Sequence, residues 1–177
     1  MIHKGHKISI ILPIACSAKG GGQFMEWFNV FGFIFVAIMM IPNIIYAINC
    51  KDGFENLWIN KPVEVLEQIG RFGCFGFMVI NIRGTWFGFP SNEIFALYLI
   101  IDCVLLLLYC FIWAICFKKD SVFKALVLSI LPSVLFLMSG IMSRSILLII
   151  ASLIFAPCHI VISYKNAVLK VAKSSIK

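Results

Sequence analysis

Apolar residues in this chain come in long runs rather than in alternation. Five such runs follow one another, at 27–48, 63–82, 94–117, 122–142 and 146–164. A nearly uncharged stretch of roughly twenty residues is long enough to cross a bilayer as a helix. Only helices and closed barrels satisfy their backbone groups in lipid, and the alternation of a barrel strand is missing. The pattern predicts an all-α fold, a polytopic transmembrane helical bundle of about five helices.

Polar punctuation separates the runs. Asn49-Cys50-Lys51-Asp52-Gly53 closes the first and Lys61-Pro62 precedes the second. A Gly- and aromatic-rich loop, Arg83 to Pro90, carries Trp86, Phe87 and Phe89, which suit a headgroup-level anchor. Lys118-Lys119-Asp120 ends the third run, and Ser143-Arg144-Ser145 turns the fourth into the fifth. Residues 166–177 read as a basic tail.

Composition agrees with the pattern. The 177 residues are 62% hydrophobic and 13% charged, so one membrane bundle (25–165) fills the chain without a separate soluble domain. The net charge of +7 does not indicate nucleic acid as a partner, because Lys and Arg sit in short loops and the tail. Nine of them (Lys51, Lys61, Lys118, Lys119, Lys124 and the four tail lysines) fall on one side, against Arg83 and Arg144 on the other. The positive-inside rule then puts the C-terminus in the cytoplasm and the start of the first helix outside, in a cell membrane. The seven cysteines form no CxxC or Cys/His cluster, so they read as small hydrophobes, with no metal or cofactor expected.

Residues 1–24 stand apart. A basic start, a short apolar core and small residues near Cys16 fit a secretory leader. A mis-assigned start fits better. The Gly21-Gly22 codons can spell a ribosome-binding site just ahead of Met25, and Lys4, Lys7 and Lys19 would otherwise load the face poor in positive charge.

Candidate chemistry gathers in the most polar span. Glu64, Glu67 and Arg71 share one helix face, and Glu67 and Arg71 are an i, i+4 pair in the favourable order. Ionisable groups at membrane depth usually face a bundle interior or cavity. Asn43 and His159 fall within one to two helical turns of the same height, so the four can form a polar pocket facing the cytoplasm. Neighbouring Pro42 and Pro157 would free carbonyls to line it. The plainer reading places the glutamates at headgroup level, pairs Arg71 with Glu67 and bonds His159 to backbone. Asp102 is an isolated acid in the third span: either an ion- or proton-coupling group, or a neutral acid bonded to Ser or backbone. Gly70, Gly73 and Gly76 recur every three residues and suggest close helix packing, with a homo-oligomer or another membrane protein as partner.

The segments from Ile41 to Ile82 and from Phe155 to Ala167 resemble a group of small bacterial integral membrane proteins of unassigned activity, which implies class and location only. Glu67-Gln-Ile-Gly-Arg71 and Phe155-Ala-Pro-Cys-His159 also resemble the ExxxR and FxxxH motifs of CAAX-type glutamate intramembrane proteases. That resemblance implies water activation by Glu67 and His159. The family's doubled Glu is missing, since Leu66 precedes Glu67, and so is its further His motif. There is no HExxH, GxSxG or phosphate-cradling loop. The expectation is an accessory, immunity-like or assembly component rather than an enzyme. A small transporter using Asp102, Arg71 and Glu67 is the first alternative and a degenerate protease the second.

Overall fold

A computed structural model describes residues 27–50, 56–82, 85, 87–117 and 121–175. The leader over 1–24, Trp86 and the charged links at 51–55 and 118–120 lie outside the described residues. Five α-helices follow in order: α1 (Val30–Asn49), α2 (Lys61–Val79), α3 (Asn92–Cys116), α4 (Val122–Met142) and α5 (Ile146–Ser175). Among the described residues the only β pairing is an isolated antiparallel bridge, Phe28 to Ile80, which ties the start of α1 to the end of α2.

Each helix begins on a short polar side chain that accepts from a backbone N–H left over in the first turn. Asn29 caps α1, Asn60 α2, Ser91 α3 and Ser121 α4. Ser145 accepts from Leu148 N at 3.4 Å at the start of α5. At α2 the cap is reciprocal: Asn60 N donates to Glu64 Oε1 at 3.0 Å. The α4–α5 turn needs a left-handed residue, and Arg144 takes φ 56° there. Ser145 N then reaches Gly140 O at 2.9 Å.

The helices close a ring. α1 touches α2 and α3, α3 continues to α4, α4 to α5, and α5 returns to α2. The interior follows the helical period, as along α3, where Tyr98, Asp102, Leu106, Tyr109 and Trp113 are buried. The outside is apolar: Leu107, Phe111, Leu153 and Phe72 are all more than half exposed. A soluble protein does not present such a surface to water, and a bilayer solvates it.

Four helices (α1, α3, α4 and α5) are long and apolar enough to cross a membrane, which defines a multi-pass membrane protein. α2 is not among them, in contrast to the five apolar spans expected. It is 19 residues long, and Lys61, Glu64, Glu67 and Arg71 lower its hydropathy. Its outward face is still apolar, with Val65, Ile69 and Phe72 exposed and Glu67 buried.

Two further features refine the picture. The basic tail is helical as far as Ser175, a continuation of α5. Nothing after Pro157 breaks it, and Asn166 anchors it by accepting from Leu57 N and Trp58 N at 2.9 and 2.8 Å. The glycines also divide. A Cβ on Gly70 would lie 2.7 Å from Phe155 N, and one on Gly73 3.0 Å from Ala151 Cβ, so both allow α2 to touch α5. Gly76 has nothing within 4 Å of that position and takes no part in packing. Gly32, not expected, is the tightest: its Cβ would strike Met78 O at 2.0 Å.

Gly70→Val should therefore force α2 off α5 and destabilise the bundle by about 1–3 kcal/mol or more. Gly76→Ala should be neutral, or stabilising by up to about 1 kcal/mol. Thermal unfolding in mild detergent distinguishes them; equal effects would refute the α2–α5 contact.

Candidate functional site

The α2–α5 contact decides where the polar residues meet. Gly70 sits against Phe155. One turn back on α2 is Glu67, and one turn on along α5 is His159. His159 Nδ1 lies 2.9 Å from Glu67 Oε1, and its ring stacks on Phe155 with centroids 4.5 Å apart. Arg71 donates to the same oxygen through Nη2, and through Nε at 3.0 Å. Glu67 is thus a buried hub, 3% exposed, holding a guanidinium and an imidazole. Burial of a carboxylate is tolerable only with such partners.

The other walls come from α1, α3 and α4. Asn43 Nδ2 donates to Tyr109 Oη at 2.8 Å and to Met39 O at 3.1 Å, joining α1 to α3. Lys124, 7% exposed, donates to Phe117 O at 3.1 Å. Its ammonium lies 4.5 Å from the Tyr46 ring centre and 5.0 Å from that of Trp113, within cation–π range. These groups surround a cavity of about 660 Å³. It lies where the C-terminal ends of α1, α3 and α5 meet the N-terminal ends of α2 and α4. Met39, Ile44, Phe75, Leu128, Phe136 and Phe155 give it apolar sides.

Asn43, Glu64, Glu67, Arg71 and His159 all line this one cavity. Glu64 sits at its rim, accepting from Asn56 Nδ2 at 2.7 Å as well as from Asn60 N. Lys124, Tyr109 and Trp113 were missed. Lys124 looks like a loop charge by position, and aromatic residues in an apolar run carry no signal of which way they face. The proline expectation changes too: Pro132 lines the cavity, whereas Pro42, Pro157 and the residues one turn before them, Ile38 and Leu153, do not. The serines flanking Pro132 turn onto nearby carbonyls, Ser129 onto Leu126 O and Ser133 onto Ser129 O.

Asp102 is elsewhere. It is fully buried between α3 and α4, where Ser139 Oγ lies 2.5 Å from its Oδ2. Its Oδ1 has no partner among the described residues. Tyr109, at the cavity, is seven residues along α3, about 10 Å away. Arg71 does not reach Asp102, since it is committed to Glu67. No group of three or more His, Cys, Asp or Glu that could hold a metal occurs among the described residues.

The fold and site define a class: a multi-pass helical membrane protein with a polar, aromatic-walled cavity at one end of its bundle. No protein family, curated protein or solved structure matches this chain.

Ser139→Ala should leave the Asp102 carboxyl without its hydroxyl partner and cost about 1–3 kcal/mol in unfolding experiments. Asp102→Asn keeps an acceptor for Ser139 and should cost less. A Ser139→Ala protein as stable as the parent would show that the bond contributes nothing.

Proposed function

We propose that this chain is a non-enzymatic accessory component of the cell membrane that binds a small ligand in its end cavity. One observation carries the reading. All five helices contribute side chains to a cavity of about 660 Å³, within the size range of small-molecule sites. Polar groups converge there on an otherwise apolar wall, the usual composition of a ligand pocket. A bundle held only by packing has no need of such a space, because interiors are otherwise close-packed.

In this reading α2 is a fifth crossing. Its apolar face meets lipid, while Glu64, Glu67 and Arg71 line the cavity and lower its hydropathy. The lysines put the cavity end in the cytoplasm. A cytoplasmic reporter fused after Lys173 should be active and a periplasmic or extracellular one silent. The opposite result would invert the topology.

The transporter reading is weaker, because Asp102 is sealed on Ser139 and lines no part of the cavity. The protease reading has one specific observation in its favour, the meeting of Glu67 and His159. Against it, the doubled Glu and the further His motif of such proteases are missing from the chain.

The test is native mass spectrometry of protein purified gently from its own membranes. The parent chain should retain a small molecule, and Ala125→Trp, which places an indole on the cavity wall, should lose it with folding intact. A parent chain that carries nothing and takes up no added small amphiphile would overturn the binding reading.

A further inference from the structure

The geometry points to an anionic amphiphile, an oxyanion head on an apolar body, as the ligand of the end cavity, with Arg71 as its anchor and Glu67 as the residue that positions Arg71. This inference rests on the binding reading above and specifies its ligand class.

The argument starts from how Arg71 is held. Two of its three nitrogens, Nε and Nη2, donate to one buried carboxylate oxygen. The third, Nη1, makes no hydrogen bond among the described residues. The side chain is 37% exposed on the cavity wall, while that of Glu67 is 4% exposed. A guanidinium fixed from behind in this way turns its outer N–H groups into the open space. Arginine's rigid fork matches the oxygens of a carboxylate or phosphate, and little further ordering is needed on binding. His159 holds the same Glu67 oxygen from the α5 side, so the carboxylate cannot swing round to cover the outer edge of Arg71.

The charge on the walls has the matching sign. Lys124 and Lys170 line the cavity along with Arg71. Against these three cations stand two acids, Glu67, which lies behind Arg71, and Glu64, which bonds Asn56 and Asn60 N, so the wall keeps a net positive charge. The remaining surface sets the body of the ligand. Met39, Leu128, Phe136 and Phe155 offer apolar contact that a bare inorganic ion would leave unused. The head could come from a membrane lipid or from a soluble metabolite with the same chemistry, and the experiment separates these.

The full chain is reconstituted in nanodiscs of zwitterionic phosphatidylcholine and titrated with hexyl phosphate, hexyltrimethylammonium, 1-hexanol and inorganic phosphate, with the thermal unfolding midpoint as readout. Hexyl phosphate should bind saturably and about tenfold or more tighter than hexyltrimethylammonium. Arg71→Gln should remove that preference while 1-hexanol binding stays. Arg71→Lys, which keeps charge without the fork, should retain part of it. Glu67→Gln should weaken hexyl phosphate binding without creating a preference for the cation. Competition by phosphatidylglycerol in the nanodisc would assign the head to a lipid; undiminished binding would assign it to a soluble anion.

Equal binding of anion and cation, or an Arg71→Gln protein that binds hexyl phosphate like the parent, would overturn the anionic class and leave the cavity reading standing if 1-hexanol still binds. Inorganic phosphate binding as tightly as hexyl phosphate would overturn the apolar body. If none of the four binds and the purified chain carries no native ligand, both readings fall.

Discussion

The arrangement of this bundle depends on a contact that glycine alone permits. At Gly70 the backbone of α2 meets the backbone of α5 at Phe155, with room for no side chain between them. The polar relations between α2 and α5 follow from that approach. It sets the height of Glu67 against His159 and stacks His159 on the ring of Phe155. It also turns Arg71, one helical turn beyond Glu67, into the space the five helices enclose. A larger residue at position 70 would separate Glu67 from His159 before it disturbed anything else in the site.

The same contact explains why the least apolar helix can belong to the ring. α2 carries charges that would be costly against lipid. Pressing its glycine face onto α5 buries Glu67 and leaves Val65, Ile69 and Phe72 outside. Its composition and its placement are two aspects of one solution, in which polar groups gather on the inward side and satisfy each other there. The cost is a loss of mean hydropathy, which is why α2 falls outside the four helices that qualify by length and composition.

This also marks how far the sequence could be read. Helix number and the shared face of Glu64, Glu67 and Arg71 are local matters, set by run length and the 3.6-residue period, and both were legible. That Asn43 and His159 stand at the height of Glu67 followed from counting rise along the helices. Neighbour relations around the ring were not legible, since lipid-facing and helix-facing positions are equally apolar. So Ser139 could not be singled out as the partner of Asp102, nor Gly76 told apart from Gly70 and Gly73. Lys124 was hidden for the related reason that its two ring partners, Tyr46 and Trp113, lie on different helices. The helical continuation past residue 165 was hidden by its charge, although it contains neither Gly nor Pro.

The two intramembrane acids show what separates a structural polar group from a candidate site. Asp102 is buried between two helices with the Ser139 hydroxyl beside it, and it lines no part of the end cavity. A polar pair so enclosed contributes to the α3–α4 contact and is invisible to a ligand. Glu67 is buried as deeply, but its partners are not: Arg71 extends from it into the cavity with donors to spare. Burial by itself therefore does not distinguish the two. The distinction is whether the acid's partner is itself enclosed, as Ser139 is, or extends to a surface that something else can meet, as Arg71 does.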